Sequence, residues 1–169
     1  RKGLCGAAYH RGYLYVVGGL HTTDLKVCER FNFTNLSWEN LRSLPVPCHS
    51  ASVIVLKATQ SLFAFGGFNG CPLAIIQRFD LVALTWKLLP LRLPSAKNSI
   101  AVFKVDEAKM FFILRKVLYS FNPSLSTIKP LKMLESEVNN LGGPAYFREG
   151  TLYTASTHDT RVFIGSLVA

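Results

Sequence analysis

The chain has 169 residues, of which 49% are hydrophobic and 17% charged, a composition that excludes intrinsic disorder and supplies enough apolar side chains for a core. Its longest apolar stretches, such as Ser52 to Leu56 and Met110 to Leu114, are strand-sized and far short of the roughly 20 residues a membrane-spanning helix needs. The formal charge of +9, from 19 Lys and Arg against 10 Asp and Glu, favours acidic partners. The cations are scattered, however. The nearest approach to a cluster is Arg115-Lys116 with Lys104 and Lys109 upstream, which argues against a nucleic-acid track.

Residues 1 to 6 run directly into patterned sequence with no sustained apolar segment, so no secretory signal is expected there. The lack of an initiator Met points to a processed chain or an excerpt of a longer one.

In chain order, a first unit spans about residues 4–45. It holds the run Tyr13-Leu14-Tyr15-Val16-Val17-Gly18-Gly19, then Glu29-Arg30-Phe31-Asn32 and Trp38. The second unit, 46–90, repeats it 48 residues on: Gly18-Gly19 returns as Gly66-Gly67, Phe31 as Phe79 and Trp38 as Trp86. Three landmarks at one period establish an internal repeat. Four strands are expected in the second unit, over Ser50 to Leu56, Ser61 to Gly66, Leu73 to Asp80 and Thr85 to Pro90.

The third unit, 91–133, keeps only the apolar skeleton. Met110-Phe111-Phe112-Ile113 follows Leu62-Phe63-Ala64-Phe65 by 48 residues, Leu114-Arg115 replaces the double glycine, and Ile128 takes the tryptophan position seven after Phe121. The fourth, 134–169, places Leu152-Tyr153 and Phe163 each 42 residues after Met110-Phe111 and Phe121. Its tryptophan position would be 170. No window has a convincing helical period, although Pro130 to Asn140 is ambiguous.

An aromatic strand ending in Gly-Gly, a second strand with an aromatic, then a turn and a Trp resembles the Kelch motif. The resemblance is specific over residues 7 to 90 and rests on register beyond. The usual Tyr-Asp pair of the family stands here as Phe31-Asn32 and Phe79-Asp80. It implies an all-β fold, a Kelch-type β-propeller of which about four four-stranded blades are visible as a partial ring. Kelch propellers usually have six or more blades, so the ring is expected to need further sequence or another chain to close.

The structural residues of the motif are then Gly18, Gly19, Gly66 and Gly67, which permit positive φ and close backbone approach, and Trp38 and Trp86, expected to pack between blades.

Little in the sequence points to catalysis. Cys5, Cys28, Cys48 and Cys71 form no Cys-x-x-Cys pair, and neighbouring repeats carry ordinary small or apolar residues at those positions. Buried thiols in a reducing, cytoplasmic compartment are expected, rather than disulfides or zinc. His10, His21, His49 and His158 lack metal-ligand spacing, and no two of the carboxylates sit in an acid–base motif. No catalytic residue, metal or cofactor is expected. The alternative is a propeller enzyme or a carbohydrate-binding protein. Copper oxidases need clustered His and Tyr, and sialidases an arginine triad with a Tyr–acid pair; neither set is recognisable. The sequons Asn32-Phe33-Thr34 and Asn35-Leu36-Ser37 fall in the turn before Trp38 and are read as turn chemistry.

In a four-stranded antiparallel blade the loop between strands two and three and the connection to the next blade emerge at the same end. In units one and two these loops are long, about Leu20 to Lys26 and Phe68 to Leu73, and in the later units short. Long loops on a rigid scaffold carry recognition. His21, Lys26, Phe68 and Asn69, with His49, Arg92 and Lys97 from the inter-blade connections, are the candidate residues for binding another protein. The resemblance extends this to the substrate-recognition part of a ubiquitin-ligase adaptor. The repeated Arg30 and Arg78 are expected to serve structural ion pairing or stacking.

Overall fold

Apolar, aromatic and β-branched runs of four to eight residues, separated by turn formers, build an all-β chain in the computed structural model, which describes residues 3–134, 141–149, 151–156 and 162–166. The first blade comprises β1 (Gly6–His10), β2 (Tyr13–Val17), β3 (Cys28–Asn32) and β4 (Ser37–Asn40), paired antiparallel in sequence order. The second comprises β5 (Ser52–Leu56), β6 (Ser61–Phe65), β9 (Ile75–Asp80) and β10 (Thr85–Arg92). Between β6 and β9, β7 (Phe68–Asn69) and β8 (Cys71–Pro72) form a hairpin of their own. Sequence patterning foresaw a loop there but not that hairpin.

The third blade comprises β11 (Ala101–Lys104), β12 (Met110–Leu114), β13 (Val117–Asn122) and β14 (Thr127–Met133), so the ambiguous stretch from Pro130 is strand as far as Met133. Most of the remainder of that stretch, 135–140, lies outside the described residues. A fourth unit, β15 (Leu141–Arg148), β16 (Thr151–Ser156) and β17 (Val162–Ser166), has three described strands rather than four. It joins the third blade through a parallel bridge of Val102 to Pro144.

The innermost strands β1, β5, β11 and β15 lie side by side in that order, as the inner strands of consecutive propeller blades do. Among the described residues the ring stays open, with no pairing between β1 and β15. No described helix is long and apolar enough to cross a membrane.

Backbone geometry fixes how blade follows blade. Gly18 and Gly66 have φ of 63° and 61°. A Cβ on them would lie 2.2 Å from the Cys48 carbonyl oxygen and 2.1 Å from that of Lys97. The double glycine is therefore the place where the incoming connection crosses the preceding blade, and only glycine leaves room. The next amide fixes the crossing: Gly19 donates to Cys48 O at 2.9 Å and Gly67 to Lys97 O at 3.2 Å.

Just beyond, Leu4, Ser50 and Ser99 occupy the left-handed region at φ 54°, 52° and 49°. They form a chain of amides, with Ser50 N–H donating to Leu4 O at 2.7 Å and Ser99 N–H to Ser50 O at 2.8 Å. In the third blade the double glycine has gone because its loop has gone: Leu114 pairs directly with Val117 across a two-residue turn, Arg115 (φ 47°) and Lys116 (φ 66°).

The outer turns are as regular. The side chains of Asn32, Asp80 and Asn122 accept amides two or three residues on, from Thr34 at 2.8 Å, Val82 and Ala83 at 2.9 Å, and Ser124 and Leu125 at 3.0 Å. Those amides also hold the Asp80 carboxyl below its ordinary range. Asn35 in turn accepts from the backbone and hydroxyl of Ser37, so both sequon asparagines serve the turn. Arg30 reaches Glu39 at 2.8 Å and lies 4.4 Å over the Tyr13 ring, while Arg78 donates to Ser61 Oγ at 2.9 Å; both duties are structural.

The core is laid down in sheets between blades. Each blade has a front, turned towards the preceding blade, and a back, turned towards the next. On the front of blade two a cross-strand row runs Val55, Leu62, Phe79, Trp86. It packs against Tyr15, Val17, Cys28 and Leu44 from the back of blade one, with Tyr15 and Phe79 ring centroids 6.4 Å apart. The row on blade three, Met110, Phe121 and Ile128, packs under Phe63 and Phe65 of blade two.

Gln77 seals the first of these layers. Its Nε2 donates to Val46 O at 3.1 Å, and its Oε1 accepts the Val46 amide at 2.9 Å. Trp86 packs between blades as expected. Trp38 does not: it lies against Phe31 at 5.3 Å but is 57% exposed, because its row is on the front of blade one, where no described blade stands before it.

Candidate partner-binding face

Chain direction in the blades brings four segments to one end: the loops 18–27 and 66–74 and the connections 41–51 and 93–100. Backbone hydrogen bonds stitch them together. Leu44 N–H donates to Lys26 O, Cys48 N–H to Leu25 O, and Lys97 N–H to Leu73 O. His49 and Phe68 exchange amide bonds at 3.1 and 2.9 Å.

Side chains add to this frame. His49 Nδ1 meets Asp24 Oδ1 at 2.5 Å, both side chains largely buried, and the Phe68 ring lies 5.2 Å from the imidazole. A carboxylate of the first long loop, a histidine of the connection and an aromatic of the second loop thus form one cluster. Asp24 is a residue that sequence reasoning passed over. Its signal was slight, the lone acid in a loop facing a connection that carries a histidine.

Of the other sequence candidates, His21, Lys26 and Asn69 are exposed on the rim. Lys97 is half-buried, its ammonium pushed to lower pKa by burial and then by the neighbouring Arg115, which the sequence reading did not connect with this end. Arg92 departs from expectation: it is the last residue of β10, paired with Ile75, rather than part of the connection. It remains exposed at the same end.

Among the described residues the charge at this end is one-sided. The four segments and the Arg115-Lys116 turn carry Lys26, Arg42, Lys97, Arg115 and Lys116, and Asp24 is their sole carboxylate. At the opposite end acids and bases balance. Glu107 pairs with Lys57 at 3.1 Å and Lys104 at 3.3 Å, and Asp106 with Lys109 at 3.8 Å.

A cavity of about 390 Å³ follows the inner strands and is lined by Leu4, Cys5, Ser50, Ser52, Ser99 and Val102 among others, with no histidine or carboxylate. Among the described residues no three His, Cys, Asp or Glu side chains converge into a metal-holding set. Cys48 lies wholly in the core beside His49, but burial, reinforced by Asp24, pushes its thiol up to about 11. That is the reverse of what a thiolate nucleophile needs. The expectation that all four cysteines are buried holds for Cys28 and Cys48. It fails for Cys71, which the unforeseen β7–β8 hairpin carries to the surface, and for Cys5, which is only partly buried.

Comparison with known proteins agrees with this architecture. Residues 1–45 match the family model of the Kelch motif. A Kelch repeat-containing protein of Dictyostelium discoideum is 35% identical over 82 residues, 45% of this chain and 12% of that protein. Kelch domain-containing protein 8B of Mus musculus is 29% identical over 112 residues, 59% of this chain and 31% of that protein. The chain therefore spans no more than about a third of these relatives. The repeat, the double-glycine crossings and the blade order agree with that likeness: residues 1–45 carry the Kelch motif, and the chain is similar to Kelch-repeat proteins.

Proposed function

We propose that the chain is a non-enzymatic recognition module that binds another protein, through an acidic segment, at the loop end of its blades. The observation that carries this reading is the one-sided charge, among the described residues, of a surface whose loops are locked in place: its segments hold five cations and one carboxylate, and that carboxylate is engaged by His49. Loops held by backbone bonds and by the His49–Asp24–Phe68 cluster lose little entropy on binding, and an unbalanced cationic rim draws an acidic partner by long-range attraction.

By its resemblance to adaptor-type Kelch domains, the module serves as the substrate-recognition part of a larger assembly such as a ubiquitin ligase. An exposed Cys71 thiol suits a reducing, cytoplasmic setting.

The test is affinity capture with three baits: the parent chain, a variant with 20–26 replaced by a short turn, and one with 68–73 so replaced. Proteins retained by the parent at moderate salt, released as salt rises and lost from both variants with unchanged circular dichroism support the reading. Capture indifferent to both replacements moves the interface elsewhere.

A further inference from the structure

His10 is the last residue of β1, and adjacent strand residues face opposite ways, so it lies on the back of blade one, turned towards blade two. Blade two has Leu56 at the same place. Each of the two closes its inner strand and opens the turn into the second, where His10 pairs with Tyr13 and Leu56 with Ser61. Leu56 is wholly buried in the layer between blades two and three, and His10 is only 8% exposed. Blade one thus sets a titratable ring where its neighbour sets an aliphatic side chain.

The surroundings of His10 suit the neutral ring. Arg11 approaches from its own turn, Lys57 from the single 3-10 turn Lys57–Thr59 after β5, and Lys104 and Glu107 from the end of β11 and the turn beyond it. Glu107, the one carboxylate of this group, is already engaged: Lys57 lies 3.1 Å and Lys104 3.3 Å from it. Its backbone carbonyl also accepts the Ala58 amide at 3.1 Å, which docks the turn of blade three on that of blade two. Tyr13, across the strand, brings a phenol whose oxygen accepts from Asn32 Nδ2 at 3.4 Å. A proton on His10 would add a fourth cation to Arg11, Lys57 and Lys104 at a place largely closed to water. Burial first, and then those three cations, hold its pKa below the ordinary 6.5, with Glu107 opposing.

We propose that His10 is an acid-sensitive latch between blades one and two, which on taking up a proton loosens the end of β1 from β5. The unfolded chain takes that proton at the ordinary 6.5 and the folded chain only at lower pH. Stability contributed by the neutral ring is therefore complete above 6.5 and is lost as pH falls through 6.5 towards the folded value. The latch lies at the end of the blades opposite the long loops, so partner binding and acid release fail independently.

The test uses the whole chain. Proton NMR follows the four histidines, with the His10 signal assigned by its loss in His10→Leu, the residue that blade two uses. His10 titrates below 6.5. Between about pH 7.5 and about pH 5.5 the urea midpoint of the parent falls further than that of His10→Leu. Amide exchange over residues 6–10, corrected for the intrinsic rate at each pH, accelerates at the lower pH in the parent and not in the variant. Lys57→Gln, a change at an exposed side chain, removes one of the cations and moves the His10 titration up towards its ordinary value, which keeps the latch testable should His10→Leu fail to fold. A His10 signal that titrates at or above 6.5, an equal fall of the urea midpoint in the parent and His10→Leu, amide exchange over 6–10 indifferent to pH, or a titration unmoved by Lys57→Gln overturns the proposal.

Discussion

Replacing Gly18 with Ala tests the idea that the double glycine is a crossing point rather than merely a turn. The new Cβ would start 2.2 Å from Cys48 O, so carbonyl and chain must separate by at least about 0.8 Å to reach the shortest contact real Cβ atoms tolerate. Holding a non-glycine residue at φ 63° costs about 1 kcal/mol. Moving the carbonyl also breaks or stretches its bond from Gly19 N–H, worth about 1 kcal/mol. With the strain of a displaced connection the loss comes to about 3 kcal/mol.

Gly12→Ala is the control. Its φ is 80°, yet nothing lies within 4 Å of the added carbon, so only the backbone preference of about 1 kcal/mol is lost. Urea unfolding followed by tryptophan fluorescence gives both values, and the difference between them isolates the crossing. Equal destabilisation of the two variants would refute the reasoning.

Three further outcomes follow from the same geometry. Changing Arg115-Lys116 to Asn-Gly suits a turn in which both residues have positive φ and raises stability by about 1–2 kcal/mol in the same urea assay; no gain would mean that the turn is held by something other than its own backbone. Gln77→Leu strips the Val46 amide and carbonyl of their buried partners and costs about 2–4 kcal/mol, against a fraction of that for an exposed change on the neighbouring strand such as Lys87→Gln. Because the folded Cys48 thiol titrates near 11, against an ordinary 9.0, the native state holds its proton where the unfolded chain releases it. Stability contributed by this thiol is thus present below about pH 9 and declines from there towards 11, and Cys71 reacts with a thiol reagent at pH 8 while Cys48 stays silent until the chain unfolds.

The repeat was legible because its landmarks answer to backbone constraints. Gly18 and Gly66 are dictated by a carbonyl that lands on them, and Asn32, Asp80 and Asn122 by turns that need a side-chain acceptor, so each leaves a mark at the same place in its unit. The candidate site was legible only in outline. Loop spacing showed which end carries the long loops, but the Asp24–His49 contact joins residues 25 apart, from a loop and a connection whose relative positions depend on the blade crossing. The approach of Arg115 to Lys97 depends on the next crossing in the same way. Trp38 was misjudged because local pattern reports which face a residue is on, while burial depends on whether another blade covers that face. Cys71 was misjudged for a different reason: a two-residue strand such as β8 has no periodicity to detect.

The chain of amides through Leu4, Ser50 and Ser99 bears on how such a sequence can drift. Each link is made by main-chain atoms, so the step from one blade to the next is set without reference to which side chains the blade carries. A blade can then exchange its double glycine for Arg115-Lys116 and its tryptophan for Ile128 and still stand at the proper angle to its neighbour. Divergence in the repeat is in this sense free of geometric penalty at the hub, and is confined by the fit of side chains farther out.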